Sequence, residues 1–170
     1  GAGVLLVIKN YTGDIMNFEM AAELAEAEGI NVKQVVVNDD VAVEDSSFTT
    51  GRRGIAGTVF VHKIAGAKAA QGASLEEVQA VAEKTIQNVR SIGMALTPCI
   101  VPAAGTPSFE LKENEMEIGI GIHGEPGIER KEITTADEIA VELTEKVIAD
   151  LGLKSGEEVA VMVNGLGGTP

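Results

Sequence analysis

The sequence predicts an α/β protein: a mostly parallel sheet with flanking helices in the first part, followed by a second, smaller α/β domain with a mixed sheet. Three observations predict it. Val4-Leu5-Leu6-Val7-Ile8 is a continuous apolar run, as in a strand buried on both faces. Residues 4–37 read strand, loop, helix, strand, the order of a right-handed parallel unit. Residues 97–107 then hold Pro98, Pro102 and Pro107 among Ala and Gly, a shift that marks new architecture. The division expected is 1–90 for the first domain and 91–170 for the second, with the boundary near Ser91.

Each element follows from a local pattern. After the strand at 4–8, Lys9-Asn10-Tyr11-Thr12-Gly13-Asp14 is a polar loop. A helix is predicted over 15–28, with Met16, Met20, Leu24 and Ala27 at helical spacing as its core face and Gly29 as its stop. A strand follows over 32–37, then the polar loop Asn38-Asp39-Asp40. Thr49-Thr50-Gly51-Arg52-Arg53-Gly54 is a loop ahead of a helix over 55–70. Ser74-Leu75-Glu76-Glu77 is a capping box that opens another helix, to about Arg90. Alternation predicts a strand over 116–123. A further helix opens at Thr135-Ala136-Asp137-Glu138 and closes near Gly152, and a strand is expected over 159–163. Asn164 to Pro170 reads as a Gly-rich turn. No internal repeat or low-complexity tract is present.

Composition excludes several function classes. A net charge of −13 argues against nucleic acid and anionic membrane surfaces as partners, because phosphate neutralisation needs clustered Lys and Arg. Aromatic residues make up 3%, too few for base-stacking platforms. No apolar run approaches the roughly 18 residues of a membrane span, and no signal-peptide core stands near the start. A single cysteine, Cys99, excludes an internal disulfide framework and fits a reducing, cytoplasmic compartment. The chain starts on Gly and enters an apolar strand almost at once, and it finishes in a Gly-rich turn. Both ends are read as cut, so the chain is expected to be the interior of a longer protein.

His123 is the first candidate for chemistry. In the predicted strand, Met116, Ile118, Ile120 and Ile122 share one face, and Glu117, Gly119, Gly121 and His123 share the other. Glycines cost strand stability, so two beside an imidazole read as cleared space for a ligand. The competing reading is a hydrogen-bonded structural histidine. Metal ligation lacks support: Glu125 is near in sequence, but no Cys/His cluster supplies further ligands. Lys9 and Asp14 form the second candidate. They flank the C-terminal end of a parallel strand, where ligands bind in open sheets; alternatively Asp14 caps the helix. Arg52 and Arg53 are weighed as a phosphate contact against a solvated loop or internal salt bridges, and the latter is favoured; Asp39 and Asp40 are read as loop solvation over metal ligands, and Cys99 as inert in apolar company. No dinucleotide or P-loop glycine pattern is complete, since Pro170 stands where the former would need Gly.

Lys9-Asn10-Tyr11-Thr12-Gly13-Asp14, Gly51-Arg52-Arg53-Gly54, Val101-Pro102-Ala103-Ala104-Gly105 and Gly121-Ile122-His123-Gly124-Glu125-Pro126-Gly127 together resemble the dihydroxyacetone kinase family, in its dihydroxyacetone-binding subunit or domain. The resemblance covers nearly the whole chain. It implies that His123 bonds covalently to the ketone carbon of dihydroxyacetone as a hemiaminal, that Asp14 contacts a substrate hydroxyl and acts as its base, and that Lys9 is a substrate contact. It implies no cofactor in this chain: nucleotide and Mg²⁺ are expected on a partner subunit fed by the phosphoenolpyruvate phosphotransferase system, or on a fused ATP-binding domain. It implies a homodimer. The family's upstream Gly-Gly-Gly-Ser-Gly-His-Glu-Pro segment, which completes the pocket, is not in this sequence. The alternative within the resemblance is a non-catalytic dihydroxyacetone sensor acting on a transcriptional regulator.

Overall fold

The apolar run forms strand β1 (Val4–Lys9), and the next apolar segment forms β2 (Val32–Val37). They pair in parallel, in register from Val4 opposite Val32 to Lys9 opposite Val37, as the strand–helix–strand order predicts. These elements come from a computed structural model, which describes residues 2–44 and 49–166. Helix α1 (Thr12–Ala27) joins the two strands and touches both. Helices α2 (Thr58–Ala70) and α3 (Leu75–Asn88) cover the pair from the face that carries Val35 and Val37. Val61, Ala65, Val78 and Ala82 complete that core, with Leu5 and Val7 packed against it.

Two apolar expectations are corrected. The β1 run is only partly covered, with Ile8 alone fully buried, because β1 has one strand neighbour among the described residues. On α1, the predicted core stripe faces outward: Met16, Met20 and Leu24 are 62%, 62% and 65% exposed, and the buried side chain is Ala22. Helical spacing defines a face but not whether anything covers it.

The capping boxes form as written in the sequence. Ser74 Oγ accepts from the Glu77 N–H at 3.2 Å and Glu77 Oε2 accepts from the Ser74 N–H at 2.8 Å, which fixes the start of α3. Thr135 and Glu138 make the same reciprocal pair at the start of α4 (Ala136–Leu151). Gly152 closes α4 in the left-handed conformation, φ 66°. Helix α2 begins at Thr58, three residues after its predicted start, because Ile55 to Gly57 lead into it as turn.

The second part holds a small antiparallel sheet, β3 (Met94–Ala95), β4 (Glu115–Ile118) and β5 (Glu129–Glu132), in the order β3-β4-β5. The strand expected over 116–123 therefore ends at Ile118. Gly119 has φ 78°, which breaks the strand, and the chain returns through a tight loop in which the Ile128 N–H donates to the Ile118 carbonyl at 2.8 Å. A side chain at Gly127 would collide with that carbonyl. The strand expected over 159–163 does not form, and Val159, Val161 and Val163 stand exposed. The turn expected over 164–170 lies partly outside the described residues; within them, Asn164 Oδ1 accepts from the Leu166 N–H at 3.0 Å.

Helix α4 is tied to the first part by charge. Arg52 donates twice to Asp150, at 2.7 and 2.5 Å, and Arg90 Nε donates to the same carboxylate at 2.5 Å. The Arg52 hydrogen bonds hold the Asp150 carboxyl down at about 2, against an ordinary 3.8. Its folded pKa is depressed, so the stabilisation is complete above about pH 4 and is lost as pH falls toward 2. Discounted for partial exposure, it is worth on the order of 1–2 kcal/mol. Asp150→Asn is expected to lower the urea midpoint at pH 6 and to flatten the wild-type decline between pH 5 and 2.5. An identical decline in both proteins would show that Asp150 has no part in acid stability.

Candidate functional site

The site is built where β1 and β2 end. Asn10 leaves β1 and spreads its side-chain amide over the next loop, donating to the carbonyls of Thr50 at 3.0 Å and Arg52 at 2.7 Å. This draws residues 50–54 across the strand ends. Gly54 permits the approach: a Cβ there would run into the Val37 carbonyl and the Asn10 amide. Glycine is required by proximity at this position, since its φ is unexceptional.

β2 delivers Asp39 and Asp40 into this junction, and both are fully buried. That corrects the expectation of loop solvation. Asp39 accepts from the N–H groups of Ile55 at 2.8 Å and Gly57 at 2.7 Å, and from the Ser91 hydroxyl. It serves as the anion for the turn leading into α2. Asp40 pairs with Arg53 at 2.6 Å, with the guanidinium also 1% exposed as a residue. Burial pushes the Asp40 carboxyl up, and the Ala42 N–H and Arg53 pull it back. Arg53 then reaches the second part of the chain, donating to the Gly119 carbonyl at 2.7 Å. Of the readings weighed for Arg52 and Arg53, a phosphate contact, a solvated loop or internal salt bridges, the structure supports internal salt bridges for both.

The loop that follows β4 carries His123. Its imidazole is about half exposed, with 54% side-chain accessibility. Tyr11, buried between Lys9 and Asp14 in sequence, sets its ring edge-on to the imidazole, with centroids 4.3 Å apart and planes at 88°. The junction of β1 and α1 at residues 9–14 and the 121–127 loop thus meet, although they lie more than 100 residues apart in sequence. Glu125 folds back beneath the histidine: its Oε2 accepts from the His123 backbone N–H at 2.9 Å, and its Oε1 lies 3.7 Å from Nδ1. Burial, and after it the Glu125 charge, push the Tyr11 phenol well above its usual range, so it stays neutral beside the ring.

The two glycines expected to clear space for a ligand have nearer neighbours. Gly119 abuts Ala42 and Ile128, and Gly121 leaves room for the Glu125 carboxylate and Arg53 Nη1, which a Cβ would strike. Lys9 ends β1 and Asp14 lies in the first turn of α1. Tyr11 is the N-cap of that helix, so Asp14 is not the cap that the alternative reading required. Among the described residues, neither the Lys9 ammonium nor the Asp14 carboxylate has an ion pair or hydrogen bond within the chain. No three His, Cys, Asp or Glu side chains converge as a metal site among the described residues. His62 is exposed on α2. Cys99 is exposed, which corrects its expected apolar setting, and its Cβ lies beside Gly124. No described helix is long and apolar enough to cross a membrane.

Sequence reasoning missed Tyr11 and the Asp40–Arg53 brace as parts of this site, and weighed Glu125 only as a metal ligand. The doubled Asp at the end of β2, two residues past a buried Val, was the available clue to the brace.

The family model of the Dak1 domain matches residues 1–170. A relative from Listeria innocua, the PTS-dependent dihydroxyacetone kinase 1, dihydroxyacetone-binding subunit DhaK, is 59% identical over 170 residues, which are 100% of this chain and 52% of that protein. A dihydroxyacetone kinase operon co-activator, Dha-DhaQ, superposes with a TM-score of 0.81 at 38% identity, over 89% of this chain and 46% of that one. The dihydroxyacetone kinase of C. freundii in complex with AMP-PNP and Mg²⁺ superposes with a TM-score of 0.79 at 39% identity, over 88% of this chain and 27% of that one. The chain spans about half the length of the curated relatives it matches. With the family model matching from end to end, the chain belongs to the Dak1 family.

Proposed function

We propose that this chain is the dihydroxyacetone-binding part of a dihydroxyacetone kinase. His123 adds to the ketone carbon, Lys9 contacts the substrate, and Asp14 accepts the proton of the hydroxyl to be phosphorylated. The observation that carries the reading is the Tyr11–His123 ring contact, which brings the β1–α1 junction, from Lys9 to Asp14, to a half-exposed imidazole. A neutral imidazole is a nucleophile toward a carbonyl and needs no leaving group. The covalent bond fixes the substrate, so orientation for phosphoryl transfer is settled in advance. It also selects by chemistry, since glycerol has similar hydroxyls but no carbonyl.

The phosphoryl donor belongs to a partner subunit or fused domain that supplies nucleotide and Mg²⁺. The Listeria relative's name supports a phosphotransferase-system partner, and the C. freundii complex supports nucleotide and Mg²⁺ in an enzyme of this family. A cytoplasmic homodimer completes the proposal, and the exposed stripe on α1 is in keeping with an assembled protein.

The test uses [2-¹³C]dihydroxyacetone and the full-length protein. The labelled carbon is expected to move from the ketone to the tetrahedral region of the ¹³C spectrum, and His123→Ala is expected to abolish that signal while the protein stays folded. Glycerol should not compete for the adduct. A ketone signal unchanged by saturating protein would overturn the reading. The likeness to the operon co-activator supports a second reading, a dihydroxyacetone sensor without turnover. Both readings predict the adduct, and only the first predicts phosphorylation with partner and donor present.

A further inference from the structure

We propose that Glu125 is a positioning residue for His123: its carboxylate holds the ring proton on Nδ1 and leaves Nε2 unprotonated and turned toward the substrate. The inference rests on the reading of His123 as a ketone-binding nucleophile and deepens it.

Two oxygens of one carboxylate have two jobs here. Oε2 already accepts the His123 backbone N–H at 2.9 Å. Oε1 is buried and has no hydrogen-bond partner, and it lies 3.7 Å from His123 Nδ1. A buried, unpaired carboxylate oxygen is costly, so a donor placed near it has a use. The separation is too long for a hydrogen bond, and a small rotation of the half-exposed ring closes it. Unliganded catalytic contacts are often loose in this way. Tyr11 limits that rotation from the side, through its edge contact at 4.3 Å. Gly121 leaves the space that the Glu125 carboxylate fills.

The chemistry requires the assignment. Neutral imidazole carries one N–H, and the other nitrogen has the lone pair. With the proton on Nδ1, the Nε2 lone pair forms the bond to the ketone carbon. The carbonyl π pair moves to oxygen, which takes one proton from solvent and becomes a hydroxyl. The ring is then cationic and returns to neutral by losing the Nδ1 proton through Glu125 to solvent. One proton enters and one leaves, with no change of oxidation state. A carboxylate beside Nδ1 stabilises the cation in between.

Glu125→Gln separates this role from bulk, because glutamine offers one acceptor where two are needed. If its oxygen keeps the His123 N–H, its NH₂ faces Nδ1, and the ring proton moves to Nε2. The experiment is a long-range ¹H–¹⁵N spectrum of the histidine-labelled full-length protein, read with the ¹³C adduct signal. Wild type is expected to show His123 protonated at Nδ1. Glu125→Gln is expected to show it protonated at Nε2, with at least tenfold less adduct at a fixed dihydroxyacetone concentration, and Glu125→Asp to recover part of both. A wild-type ring protonated at Nε2 overturns the proposal, and so does a Glu125→Gln protein with the wild-type tautomer and full adduct. If Glu125→Gln does not fold, the wild-type tautomer decides alone. An Nδ1–H ring in a wild-type protein that forms no adduct would instead sink the reading of His123 as nucleophile.

Discussion

Asp14→Asn is expected to lower kcat by about 10²–10⁴-fold and to leave the adduct at His123 intact. Asparagine keeps the volume and part of the hydrogen bonding of the carboxylate but lacks its basic oxygen. Asp14 sits in the first turn of α1, whose N-cap is Tyr11, and its carboxylate is not consumed by the protein's own hydrogen bonds among the described residues. Its place at a helix N-terminus gives the substitution a small structural effect, about 0.3–1 kcal/mol from the lost charge at the helix end. The two effects are separated by measuring turnover with partner and phosphoryl donor beside the ¹³C adduct signal. A wild-type kcat in Asp14→Asn would reduce Asp14 to a favourable helix-end charge.

The parts of the fold legible in the sequence are those whose signal is local. The run at β1 and β2, the two capping boxes and the Gly152 stop each carry their own physical cause, and each forms. The failures share a different cause: they depend on what lies across from a segment. Met16, Met20 and Leu24 are spaced as a core face, yet no described element covers them. The period-two reading of 116–123 broke at Gly119, where the chain takes a positive φ to close a loop. Glu117, placed on the same face as His123 by alternation, is instead buried, accepting from the Gly127 N–H at 2.9 Å and Arg130 Nε at 2.8 Å. At the site, His123, Lys9 and Asp14 stood out by residue type and position. Tyr11 did not, because a lone aromatic in a polar loop shows no partner until the loop after β4 is folded against it. The same holds for Asp40 and Arg53, thirteen residues apart and unremarkable until both are buried.

Arg53→Met is expected to cost about 3–5 kcal/mol of stability, because it strips a buried carboxylate of its counter-ion. Arg53 gives Asp40 its ion pair at 2.6 Å and gives the Gly119 carbonyl a donor at 2.7 Å, all in a region closed to solvent. Methionine fills much of the volume, so the loss reports charge and hydrogen bonding more than a cavity. The companion variant Arg53→Met/Asp40→Leu removes both charges. It is expected to recover most of the loss, since a buried pair replaced by apolar groups of similar size is often near neutral. The recovery should be incomplete, because the Gly119 carbonyl remains without its donor in both variants. That carbonyl begins the loop that carries His123, so both variants should also weaken the dihydroxyacetone adduct, independently of how much stability returns. Urea unfolding of the three proteins, with the adduct measured under folding conditions, checks the two statements separately. A single variant as stable as wild type would show that the Asp40–Arg53 pair does not hold the junction, and a double variant no better than the single would show that the uncompensated charge is not the source of the loss.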